Sequence, residues 1–111
     1  MNQLIILKDS CIQFGWINRR VDILYLAHAI ERVRVWNLSI EMVMEALLTP
    51  EEVLKGHRSR YIAHRRYDDH ILRAVYEYEG EMPVLVTVYF PYAQRYFQGG
   101  GHYEDQILKR S

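Results

Sequence analysis

The hydrophobic and polar positions of the chain keep two rhythms, and the change between them falls at Gly56. Upstream, Ile40, Val43, Met44, Leu47 and Leu48 fall at i, i+3, i+4, i+7 and i+8, the apolar stripe of an amphipathic helix. Ser39 precedes that stripe as an N-cap, with Glu41 in the first turn. Ala27 to Trp36 carries helix formers at helical spacing and predicts a shorter helix, broken by Asn37-Leu38-Ser39. Thr49-Pro50-Glu51-Glu52 predicts one further helical turn, with proline in the first helical position and Gly56 as its stop. Leu4 to Phe14, rich in Ile, Leu and Phe, predicts a strand. Asp22 to Ala27 is too short and too apolar for its period to decide.

Downstream of Gly56 the period is 2. Tyr61, Ala63, Arg65 and Tyr67 alternate with Ile62, His64 and Arg66, which predicts a strand over 60–67. Asp68-Asp69 makes a two-residue turn into a second strand over 70–79, where Ile71, Arg73, Val75 and Glu77 oppose Leu72, Ala74, Tyr76 and Tyr78. After a turn at Glu79 to Pro83, Val84 to Phe90 is almost unbroken apolar sequence and predicts the centre of a sheet. Leu85, Thr87 and Tyr89 share one of its faces by simple alternation. The expected architecture is α+β: N-terminal helices packed on one face of a twisted antiparallel sheet, with the opposite face open.

Composition adds limits. The 111 residues are 50% hydrophobic and 25% charged, which fits one globular domain. No apolar run approaches the roughly 20 residues that span a bilayer, and the start lacks the basic region of a signal peptide. One cysteine, Cys11, excludes an internal disulfide and any multi-thiolate metal site. A cytoplasmic protein with no membrane partner is expected. Net charge is zero, yet residues 57–73 hold Arg58, Arg60, Arg65, Arg66 and Arg73 against Asp68 and Asp69, together with His57, His64 and His70. Arginine carries the planar fork that suits a phosphate. The histidines lack the spacing of a zinc site, and Gly99-Gly100-Gly101 lacks the lysine and the strand–helix setting of a phosphate loop. No metal or cofactor is expected.

A series of short motifs follows in order: His28-Ala29-Ile30-Glu31-Arg32, Leu38-Ser39-Ile40-Glu41-Met42-Val43, Leu48-Thr49-Pro50-Glu51-Glu52-Val53-Leu54, Arg60-Tyr61-Ile62-Ala63, Leu72-Arg73-Ala74-Val75-Tyr76 and Val86-Thr87-Val88-Tyr89. Over about residues 22–90 this resembles family 4258 of the domains of unknown function. That family is similar to the RelE-like branch of the barnase/colicin/RelE ribonucleases. The resemblance implies a helical pair on an antiparallel sheet and a toxin of a toxin–antitoxin pair. It divides the chain into an N-terminal extension (1–21), a RelE-like domain (22–97) and a flexible C-terminal tail (98–111).

Metal-free RNA cleavage needs a base for the 2′-hydroxyl, positive charge on the phosphorane and an acid for the departing 5′-oxygen. His28 and Arg32, four residues apart, share a helix face and can grip one phosphate. The expected catalytic set is His28 for proton transfer, Arg32, Arg65 and Arg73 for charge, and Tyr89 to stack or orient. Arg66, Thr87, Tyr92 and Arg95 are expected to bind substrate, and His64 stands in reserve because it faces away from Arg65. The partners are RNA and a small antitoxin protein. Two rivals remain open: a non-catalytic module binding protein or nucleic acid through the same face, which the neutral charge favours, and a homodimer joined through its sheet edge or aromatic tail.

Overall fold

The computed structural model describes residues 4–14 and 17–105, with side chains from Ile23 onward. Two strands, β1 (Leu4–Phe14) and β2 (Ile17–Leu26), lead into helices α1 (Ala27–Val35) and α2 (Ile40–Leu48). Four strands follow, β3 (Glu52–Lys55), β4 (Tyr61–Tyr67), β5 (His70–Glu79) and β6 (Met82–Tyr89), then the short helix α3 (Ala93–Tyr96). The strands form one mixed sheet in the order β1-β2-β6-β5-β4-β3, antiparallel except where β2 runs parallel to β6. The protein is α+β, but two strands precede the helices and the sheet is not purely antiparallel.

Local signals account for much of this. The Ser39 hydroxyl accepts the Met42 backbone N–H at 3.1 Å, starting α2. Asn37 takes φ 56° between the two helices, a conformation asparagine tolerates. The two-residue turns of the β4–β5 and β5–β6 hairpins each have a first residue with positive φ, Asp68 at 60° and Gly80 at 63°. Val43, Met44, Ala46, Leu47 and Leu48 of α2 bury against Ala63, Leu72, Ala74, Leu85 and Val88 of the sheet, with Tyr25 among them. Leu47 is in the middle of this layer and 2% exposed. Leu47→Ala should therefore cost about 3 kcal/mol of stability, read by urea denaturation.

Three expectations are corrected. The stretch read as a further helical turn is strand β3 instead. Its backbone is paired on both sides: with β4, and with residues 101–104 through Val53 N–H to the His102 carbonyl and Glu104 N–H to the Val53 carbonyl, each 2.8 Å. Two-sided pairing outweighs the local proline signal. Second, β6 has one more residue than β5 opposite Val75–Tyr76, so Val86 is a bulge. It turns Leu85 to the helix face while Thr87 and Tyr89 keep the other. Third, that other face is only partly open, because residues 91–100 return across it before the chain pairs along the edge of β3. Positions 106–111 of the expected tail lie outside the described residues, as do 1–3 of the expected N-terminal extension.

Candidate functional site

Register places four side chains in one row across the sheet. Glu52 of β3 is opposite His64 of β4, His64 is opposite Arg73 of β5, and Arg73 is opposite Tyr89 of β6. The row lies on the face away from α2. At roughly 4.8 Å between strands it spans about 14 Å. Exposure rises along it, from 0% at Glu52 and His64 to 43% at Tyr89.

The buried end is fully hydrogen-bonded. His64 Nδ1 is 2.6 Å from Glu52 Oε2, and His64 Nε2 is 2.9 Å from Arg73 Nη1. The same carboxylate accepts the backbone N–H groups of Gln98 and Gly100, each at 2.9 Å. A guanidinium can only donate, so His64 Nε2 is the acceptor and Nδ1–H donates to Glu52. This fixes a neutral imidazole in one tautomer. Burial pushes the His64 value down and Arg73 adds to that, against the pull of Glu52. Burial raises Glu52, but the hydrogen bonds from His64, Gln98 and Gly100 outweigh it and hold the carboxyl below its ordinary range.

Arg73 is at the boundary between this buried network and the surface. Its Cζ is 4.2 Å from the Tyr96 ring centroid, and burial lowers its pKa from the ordinary value while Tyr96 and Tyr89 oppose that shift. Arg73 and Tyr89 form a ridge between two hollows. One, of about 460 Å³, is closed by Trp36, Pro91, Arg95 and Tyr96. The other, of about 330 Å³, is bordered by Thr87, Val75, Ile62 and the β3–β4 loop with His57, Arg58 and Arg60. Arg60 is paired with Glu77 at 2.9 Å. In that loop Arg58 and Ser59 both take φ 60°, a strained pair for side-chain-bearing residues. Ser59→Gly should raise stability by about 1 kcal/mol, read as a higher thermal midpoint.

The structure gathers part of the expected set. Arg73, Tyr89, Thr87 and Arg95 line these hollows, and His28, exposed at the start of α1, puts Nε2 3.3 Å from Thr87 Oγ1. Arg32 is half-buried one turn further along α1, its Nε buried without a hydrogen-bond partner among the described residues. Arg65 points to the helix face, where Nη1 donates to the Thr49 carbonyl at 2.7 Å and Nε is 3.3 Å from Glu45. The register that pairs His64 with Arg73 puts Arg65 opposite Leu72, so the two arginines do not share a floor. Arg66 and Tyr92 line a separate hollow with Asp69; the Arg66 guanidinium lies over Phe97 at 5.5 Å, and the Tyr92 ring is against His70 at 4.4 Å. Glu52, Tyr96 and Trp36 are additions that only the pairing reveals, and His64 moves from reserve to the centre.

The fold and the row define an α+β domain whose mixed sheet holds a buried carboxylate–imidazole–guanidinium network. The chain belongs to the domain-of-unknown-function family DUF4258, whose profile matches residues 25–90. That span contains the whole row but ends before Tyr96, Gln98 and Gly100. No curated protein and no solved structure matches the chain. No helix among the described residues is long and apolar enough to cross a membrane.

Proposed function

We propose that this protein is a RelE-like, metal-independent endoribonuclease, the toxin of a toxin–antitoxin pair, acting on messenger RNA in the cytoplasm. The supporting observation is Arg73: a guanidinium braced from behind by His64 and offered between Tyr89 and Tyr96, with Arg95 alongside. Its remaining N–H donors make no hydrogen bond among the described residues and suit the two non-bridging oxygens of a phosphodiester. The aromatic rings beside it suit unpaired bases.

In this reading the ribose 2′-oxygen attacks phosphorus, the bond to the 5′-oxygen breaks, and a 2′,3′-cyclic phosphate remains. His28 takes the 2′-hydroxyl proton and supplies one to the departing 5′-oxygen, next to Thr87. Arg73 stabilises the charge on the phosphorane. A small antitoxin would cover the same face. The test is incubation of the purified protein with single-stranded RNA in excess chelator. Fragments ending in cyclic phosphate are the expected product; intact RNA at high protein concentration would reject the nuclease.

A second reading, a non-catalytic module that binds RNA or protein, has its own observation. The histidine within the row is fully buried with both nitrogens engaged, so proton transfer is left to histidines outside the row, His28 by the hydroxyl of Thr87 and His57 in the β3–β4 loop. Retention of RNA by the protein without cleavage, in the same incubation, selects this reading.

A further inference from the structure

The segment after β6 makes contacts that a solvated tail would not. Gln98 and Gly100 aim backbone N–H groups at one buried carboxylate, and Gly101 N–H donates to the Glu51 carbonyl at 2.8 Å. The three glycines take φ 104°, 82° and 78°, so the strap turns where only glycine is unstrained. A Cβ on Gly100 would lie 3.4 Å from both the Glu51 carbonyl oxygen and the Phe97 ring. The strap thus closes over Glu52 at one end and lays Tyr96 on Arg73 at the other.

We propose that Glu52 is a positioning residue for Arg73, acting through His64, and that the backbone of Gln98 to Gly100 completes the device. It rests on the reading of Arg73 as the phosphate-binding group. The logic is directional. Three donors converge on Glu52: the Nδ1–H of His64 and two backbone N–H groups. They hold an ionised acceptor, and that acceptor fixes the proton of His64 on Nδ1. Only then is Nε2 a lone pair aimed at Arg73 Nη1, which holds one arm of the fork and leaves the rest for a ligand. Nothing in the network touches RNA except the guanidinium, so Glu52 and the strap act on binding only through its placement.

The experiment uses Glu52→Gln in the full chain. A carboxamide brings two N–H donors of its own, so it cannot satisfy all three donors around it. Imidazole ¹⁵N spectra of the intact protein should show His64 neutral and protonated on Nδ1, with a slowly exchanging Arg73 guanidinium. In Glu52→Gln both signatures should be lost, and affinity for a short single-stranded RNA in chelator should fall about tenfold. Gly100→Ala, which keeps every side chain of the row, should change both in the same direction by a smaller factor, and it decides alone if Glu52→Gln fails to fold. Unchanged spectra, or unchanged RNA affinity in a variant series where Arg73→Ala binds more weakly, overturns the proposal. If Arg73→Ala itself binds RNA as before, the nucleic-acid reading fails, and the spectra still decide whether Glu52 positions the guanidinium.

Discussion

Arg73→Ala is expected to lower RNA cleavage by about 100- to 1,000-fold, the range for removing one charged donor from a developing phosphorane. The same replacement leaves His64 Nε2 without a donor, so a stability loss of about 1 kcal/mol should accompany it. The two effects are separable, because the catalytic loss persists far below the melting temperature. Arg73→Lys makes the sharper test. Lysine keeps the charge but offers a single ammonium, which cannot donate to His64 and grip two phosphate oxygens in the fork geometry. A kcat reduced about 100-fold, with KM raised as well, is the expected outcome. Induction of wild-type protein in growing cells should arrest them, and the Arg73→Ala protein should not. Arrest by Arg73→Ala at equal abundance would remove this guanidinium from the mechanism, and with it the row as the reactive site.

How far the sequence carries to this site depends on whether a signal is local. Ser39 and the stripe from Ile40 to Leu48 announce α2 because cap and period lie within one segment, and α2 begins and ends there. The β4–β5 hairpin is equally legible, since Asp68-Asp69 and the alternation on either side fix each other. Glu52 is the opposite case. Pro50 and two glutamates point to a helix start, and only pairing with β4 and with residues 101–104 makes it a strand. Tertiary pairing then overrides local preference. The bulge at Val86 has no sequence signature, yet it decides that Thr87 stays with Tyr89 while Leu85 leaves. Arg65 and Arg73 have similar local patterns, and a single register choice sends one to the helices and the other to the surface. Candidate residue types were readable; which of them meet was not, because a row across four strands is a property of pairing.

Protonation of the same row should govern stability in acid. His64 titrates below its ordinary value in the fold, chiefly because burial disfavours the imidazolium. The unfolded chain therefore binds its proton first. The stabilisation is complete above about pH 6.5, the unperturbed histidine value, and is lost as pH falls towards the folded value. Glu52, held low in the fold by its three donors despite burial, adds a second loss below about pH 4.3. Urea midpoints should thus be flat from pH 8 to 7 and then decline in two stages. His64→Gln should erase the first stage, and Glu52→Ala, which strands buried donors, should cost about 3–5 kcal/mol at pH 7 and erase the second. The sign discriminates between two chemistries. Were Glu52 instead holding a charged imidazolium, His64 would titrate above its ordinary value and the protein would gain stability as pH fell towards about 6.5. A midpoint that rises on mild acidification would mean that both nitrogens of His64 carry protons. No lone pair would then be left to hold Arg73, and the ridge between the hollows would lose its brace.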